Sequence, residues 1–198
     1  MITQHTPLGE VVAVLPGYAL KGRVEPASDG RYQLIQGRHL TPGEPYRYAP
    51  EHRLRITPQR PAEPYRVRPG DVLLASRGNL NYAVALLAVP EPTIAPATFY
   101  ILRPGPRVDP AYLAWVLEQP PVQAQMAQVR TTGAATPILQ RADFKAVRIP
   151  LPPLARQACI AAVAALMGQE RRLLRQLDAA TARYHEAIGR ALLAEPAD

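Results

Sequence analysis

Cysteine is almost absent from this chain of 198 residues, with Cys159 the single example. One thiol excludes an intramolecular disulfide and any zinc cluster built on several thiolates. Cys159 lies in the apolar run 158–167, where a small thiol is expected to be buried and inert. Lysine is nearly as scarce: Lys21 and Lys145 stand against 21 arginines. No apolar run approaches the ~18 residues needed to cross a bilayer. The opening Met1-Ile2-Thr3-Gln4-His5 lacks a basic-then-apolar signal architecture. A soluble, cytoplasmic protein in a reducing compartment, with no membrane partner, is the expectation.

Signatures of catalysis are also sparse. There is no P-loop and no Gly-x-Ser-x-Gly nucleophile elbow. His5, His39, His52 and His185 lie far apart, without metal-ligand spacing. Asp109-Pro110-Ala111-Tyr112 nearly spells the Asp-Pro-Pro-Tyr of amino-methyltransferases, but no glycine-rich cofactor loop follows an early strand. A helix start, with Asp as N-cap and Pro at the first helical position, accounts for every residue of it. Asp143-Phe144-Lys145 has the Asp-x-Lys form of metal-dependent nucleases, yet no second acidic residue is placed to share a metal. The reading is a non-catalytic chain with no catalytic residue, no metal site and no cofactor.

What is present in quantity is positive charge, apolar bulk and proline. Twenty-three basic against 16 acidic residues leave a net +7, and 47% of the chain is apolar, enough for a core. A basic excess carried by arginine suits phosphates and guanine edges. GC-rich coding would inflate arginine in the same way. Residues 21–77 hold 11 basic and 6 acidic residues interleaved with Tyr32, Tyr46, Tyr48 and Tyr65. Such loops fit phosphate contact and base stacking, and a solvated mixed-sign surface would look similar.

Proline divides the chain. Of 23 prolines, 22 lie in residues 1–153 and none between Leu154 and Glu195. Proline breaks helix interiors and central strands, so the first part is expected to be short elements joined by many turns. Strands are predicted over Val11–Leu15, Tyr32–Gln36, Val72–Ser76, Tyr82–Val89, Thr98–Leu102 and Val147–Leu151. Helices are predicted over Pro110–Glu118, stopping at Pro120-Pro121, and over Val122–Arg130, with a helical turn at Arg141–Lys145. Leu40–Pro69, with seven prolines, is expected to be extended and looped, its two similar Pro-Tyr-Arg stretches serving as strand entries or reflecting chance. From Leu154 to about Leu193 a 3-4 spacing runs through Ile160, Val163, Met167, Glu170, Leu174, Leu177, Thr181, Tyr184, Ile188 and Ala191. A helix of that length is a rod of roughly 60 Å. A partner helix would cover its stripe, and the alternative is a helix folded back on its own domain. The fold class is mixed α/β (α+β): a twisted mixed sheet with short helices over 1–153, then one long coiled-coil-type helix over 154–195.

Four segments in order carry a resemblance. Pro69-Gly-Asp-Val-Leu-Leu-Ala-Ser-Arg-Gly78, Ile101-Leu-Arg-Pro104 with Val108-Asp-Pro-Ala-Tyr-Leu113, Thr132-Gly-Ala-Ala-Thr-Pro-Ile-Leu139 and Val147-Arg-Ile-Pro-Leu-Pro-Pro-Leu-Ala-Arg-Gln157 resemble target recognition domains of type I restriction–modification specificity (S) subunits and their junction into a spacer helix. Gln140 and Arg156 depart from that family's pattern. The resemblance implies sequence-specific recognition of double-stranded DNA on behalf of a partner adenine methyltransferase (M) subunit, with a restriction (R) subunit a further partner. Typical S subunits hold two recognition domains, and this chain holds one, so it resembles a half-length S subunit. Two copies would rebuild the pair as a homodimer through antiparallel helices, with Ile160, Val163, Met167, Leu174, Leu177, Tyr184 and Ile188 at the dimerisation seam. On this reading Arg77, Asn79, Asn81 and Tyr82 are base or groove contacts, followed by Thr131, Thr132 and Thr136. Arg38, His39, Arg53 and Arg55 are phosphate contacts. Asn79 and Asn81 would serve equally as turn residues. A recognition domain serving another defence or anti-restriction system, and a coiled-coil adaptor that binds no DNA, remain as alternatives.

Overall fold

The computed structural model describes residues 5–20, 22, 24–78, 81–131 and 136–194. Eleven strands and four α-helices are formed among them. Strands β1 (His5–Pro7) and β2 (Val12–Pro16) come first, then β3 (Tyr32–Leu34). The proline-rich stretch that follows yields three two-residue strands, β4 (Tyr46–Arg47), β5 (Arg55–Ile56) and β6 (Arg66–Val67), separated by single 3-10 turns. Next come β7 (Val72–Ala75), β8 (Ala83–Ala88), β9 (Thr93–Ile94) and β10 (Phe99–Pro104). Helices α1 (Pro110–Leu117), α2 (Pro120–Gln128) and α3 (Arg141–Phe144) precede β11 (Arg148–Pro150) and the 40-residue α4 (Leu154–Leu193). The architecture is mixed α/β, as expected, with the strands divided among three sheets.

The five-stranded sheet runs β2-β10-β7-β8-β4, antiparallel except for β4, which lies parallel to β8. Strands β7 and β8 are apolar at every position, and β7 and the first four residues of β8 are buried because both faces are covered there. Val72, Leu74, Ala83, Ala85 and Leu102 face α1, α2 and Phe144, while Leu73, Ala75, Val84, Leu86 and Ile101 face a second core with Ile35, Leu40, Tyr46 and Val67. A four-stranded sheet, β5-β3-β9-β6, builds a third core around Tyr18, Tyr32, Leu34 and Ile94. Strands β1 and β11 pair antiparallel beside the start of α4.

Proline placement follows from backbone chemistry. Asp109 caps α1, its Oδ1 accepting the Tyr112 N–H at 2.8 Å, with Pro110 in the first turn. Pro120 and Pro121 were expected to stop α1 and precede the next helix. They instead form the first turn of α2, where the missing N–H groups have no intrahelical partner to lose.

The segments Pro69–Gly78 and Ile101–Pro104 meet. Gly70 takes a φ of +90°, which places Asp71 under the sheet with 1% side-chain exposure. Arg103 grips that carboxylate with two bonds of 2.8 Å, from Nε to Oδ1 and from its terminal nitrogen to Oδ2. A buried carboxylate needs such a bidentate partner.

Candidate nucleic-acid interface

The C-terminal end of β7 continues into Ser76–Gly78, and segment 137–140 is stitched between this edge and residues 129–131. The Gly78 N–H donates to the Pro137 carbonyl at 3.0 Å and the Leu139 N–H to the Ser76 carbonyl at 2.9 Å. On the other side the Thr131 N–H donates to the Ile138 carbonyl at 2.9 Å, and Thr131 Oγ1 accepts the Ile138 N–H at 2.9 Å. Gly78, at φ +96°, permits the turn. Arg77, Thr131 and Thr136 thereby share one edge, with Arg77 and Thr136 exposed. Asn79 and Thr132, also expected as contacts, lie outside the described residues, as does most of the Gly133 loop.

Asn81 sits on this edge but faces inward, 6% exposed. Its Nδ2 donates to the Ala75 carbonyl at 2.6 Å and its Oδ1 accepts from Arg130 Nε at 2.9 Å, so both ends of the amide are engaged within the protein. Tyr82 is half-buried, edge-on to Phe99 at 6.2 Å, and burial raises its hydroxyl pKa above the usual tyrosine value. Sequence reasoning gave no signal for Arg130, because its partner is 49 residues away.

A second basic patch adjoins Tyr82. The turn Gly37–His39 packs Gly37 beside the Tyr82 hydroxyl and Phe99. Arg38 is exposed on that turn. His39 stacks on His52 at 4.7 Å and 14°, and His52 stacks on Tyr46 at 5.5 Å and 21°. Burial, then the facing His52, then Arg38 hold the His39 imidazole below the ordinary histidine pKa. Burial pushes the Tyr46 hydroxyl up to about 12, with Tyr48 adding to it. Arg53 follows His52 and is exposed. Arg55 lies further along on β5, half-buried, with one guanidinium nitrogen donating to the Arg31 carbonyl at 3.4 Å. The structure thus brings Arg38, His39 and Arg53 next to the Arg77 edge through Tyr82.

The acidic residues weighed for catalysis have other settings. The Asp109 carboxylate is the α1 cap, while Asp143 and Lys145 are exposed at α3. Gln140, at the N-cap of α3, makes no side-chain cap bond. Among the described residues no group of three or more His, Cys, Asp or Glu side chains is placed to hold a metal. No helix there is long and apolar enough to cross a membrane.

Helix α4 leaves the domain from a pinned start. Gln157 is fully buried: its Oε1 accepts the Asp109 N–H at 2.8 Å and its Nε2 donates to the Arg107 and Pro152 carbonyls at 2.9 and 2.8 Å. Ile160 is half-buried against the α1 side of the core. From Gln169 to Ile188 every residue is exposed in the single chain. Val163, Met167, Leu174, Leu177, Tyr184 and Ile188 are all open, joined by Leu166, Leu173 and Leu192. Leu166, Leu173, Leu177, Tyr184 and Ile188 lie roughly half a turn round the helix from Gln157 and Gly168, which face the domain. Cys159, expected to be buried, is exposed, because its position on α4 turns away from the domain.

No family model matches the sequence, and no curated protein does. Solved structures do match. The HsdS subunit from Thermoanaerobacter tengcongensis superposes with a TM-score of 0.63 at 22% identity, over 96% of this chain and 43% of that one. A chain from a structural study of complex assembly in the type I R-M system gives 0.68 at 21% identity, over 96% and 44%. The type I restriction–modification S subunit from M. genitalium gives 0.59 at 12% identity, over 97% and 46%. This chain therefore has the fold of type I restriction–modification specificity subunits, and spans a little less than half of their length.

Proposed function

We propose that this chain supplies a recognition domain of a specificity subunit, residues 1–153, together with a spacer helix, residues 154–195. It binds double-stranded DNA in sequence-specific fashion and directs an adenine methyltransferase subunit, with a restriction subunit as a further partner. It performs no chemistry itself and works in the cytoplasm. The carrying observation is the fold shared with S subunits over 96% of the chain. The edge that gathers Arg77, Thr131 and Thr136 beside Arg38, His39 and Arg53 supports the reading, since exposed arginines serve both phosphate and guanine contacts.

The open stripe on α4 supports assembly. Two copies with antiparallel helices would cover it in a self-complementary interface and present two recognition domains in inverted orientation. The bound site is then an interrupted palindrome. The test is titration of a library of duplexes at several salt concentrations, followed by sequencing of methylated sites in cells carrying the chain with its cognate methyltransferase. Expected are steeply salt-dependent binding and two inverted half-sites around a fixed spacer. A chain that binds no duplex at low salt is a coiled-coil adaptor. A chain that binds DNA but supports no methylation serves another system.

A further inference from the structure

Beyond the contacts of its first turns with α1, α4 meets the recognition domain again at a loop. The loop after β3 presents Gly43 and Glu44 to the helix a little over one-third of the way along it. Gly168 is buried there, and a Cβ on it would stand 2.7 Å from the Gly43 carbonyl oxygen. Gly43 has a φ of +76°, and a Cβ on it would stand 2.8 Å from the Arg171 guanidinium. Gly168 is thus required for the helix to approach the loop backbone, while Gly43 is favoured by its left-handed φ, since the Arg171 tip could swing aside. Around this contact Glu44 accepts from Arg175 at 2.9 Å and pairs with Arg172 at 3.4 Å. Glu118, from the end of α1, accepts the Ala83 N–H and interacts with the Gly43 N–H and Arg171.

Between the two attachment points the interface is lined by Trp115 and by Ala85, Ala111, Ala114, Ala161 and Ala164, and holds a cavity of about 80 Å³. Its alanines offer few ridges to fix a crossing angle. The ion pairs are solvent-exposed and add little stability. Their effect is geometric: a pin at Gln157 and a latch at Gly168, roughly 16 Å further on, define one axis for the rod.

We propose that the Gly43–Gly168 contact, clasped by Glu44 with Arg172 and Arg175, sets the tilt of α4 and thereby the half-site spacing that the assembled protein accepts. The spacing claim rests on the DNA-binding reading above; the tilt claim does not. With Gln157 as pivot, the helix runs roughly 54 Å to Leu193. A rotation of about 10° carries that end through roughly 9 Å, between two and three base-pair steps of 3.4 Å. The same loop begins at the Arg38–His39 turn, so the latch also fixes the contact patch relative to the rod.

The test uses Gly168→Ala, which strengthens helix propensity while wedging the contact open, and Glu44→Gln, which removes the charge pairing without adding bulk. Tilt is read by the spin-label distance between Gln59→Cys and Glu186→Cys in a Cys159→Ser background, labelled protomers being diluted into unlabelled ones. Spacing is read by affinity for palindromes whose spacer is varied one base pair at a time. We expect a single narrow distance in the parent, a shift of several ångströms in Gly168→Ala, a broader distribution in Glu44→Gln, and a preferred spacer moved by at least one base pair. An unchanged distance in both variants overturns the latch. A changed distance with an unchanged spacer preference overturns its link to spacing. A parent that binds none of the duplexes overturns the DNA reading and with it the link to spacing, while the distances still decide the latch.

Discussion

Arg130 holds Asn81 from across the edge that carries Arg77, its Nε donating to Asn81 Oδ1 at 2.9 Å while Asn81 Nδ2 closes on the Ala75 carbonyl. A buried side chain committed at both ends braces the start of β8 and faces the protein rather than a base edge. Asn81→Ala should therefore cost about 1–3 kcal/mol of folding stability, the penalty for abandoning buried partners. Urea unfolding measures it. The ratio of affinities for cognate and random duplexes should not move.

Arg77 makes the opposite prediction. It is exposed, and its backbone bridges to Ile138. Arg77→Ala should leave the unfolding midpoint in place and lower discrimination by about 1–3 kcal/mol, as loss of a bidentate base contact would. Equal weakening on cognate and random duplexes would assign Arg77 to a phosphate.

Leu174 and Leu177 are 58% and 63% exposed in the single chain. Changing both to Asp should convert a dimer in the micromolar range into a monomer by sedimentation, with helical circular dichroism retained. A parent that already sediments as a monomer with α4 formed would remove both the homodimer and the palindrome.

The His39–His52 stack gives a pH dependence with a defined sign. His39 titrates below the ordinary value of 6.5 in the folded protein, through burial and then the facing His52. The unfolded chain takes up its proton first as pH falls, so stability should decline below about pH 6.5 and level off only beneath the folded-state value. His39→Phe keeps a flat ring on His52 and removes the proton. Its melting temperature should vary less between pH 7 and pH 5 than the parent's.

Glu118 is disfavoured as a carboxylate by burial, opposed by the Ala83 N–H and by Arg171. Its folded-state pKa lies above the unfolded one, so the charged form costs stability at neutral pH. Glu118→Gln keeps the acceptor without the charge and should be as stable as the parent or more so at pH 7. Glu118→Ala strands the Ala83 N–H and should lose about 1–3 kcal/mol.

Much of the architecture was legible because it rests on local chemistry. Proline cannot sit inside a helix, so its absence between Leu154 and Glu195 located α4, and Asp109-Pro110 located the start of α1. Strands β2, β3, β7, β8, β10 and β11 fall within two residues of the predicted runs. Of the two-residue strands in the proline-rich stretch, β4 and β6 lie on the two Pro-Tyr-Arg stretches that were read as strand entries or chance, whereas β5 gave no signal, since its partner β3 is distant in sequence. The same limit hid Arg130 behind Asn81, His52 behind His39, and Gly43 behind Gly168. The four segments that carried the resemblance proved to hold one another: Asp71 with Arg103, Asp109 with Gln157, Tyr112 with the Pro150 carbonyl, Ser76 with Leu139. A string of short motifs was legible as a family pattern, whereas the bonds joining them belong to the folded chain alone.

Strands β1 and β11 pair His5 with Pro150 and Pro7 with Arg148. The two ends of the stretch 5–150 therefore stand side by side, one strand spacing of about 4.8 Å apart, at the root of α4. Everything between them is a closed excursion from a single point on the rod. Such a stretch can be exchanged as a cassette: another domain with ends at the same separation would graft onto the helix without disturbing its course.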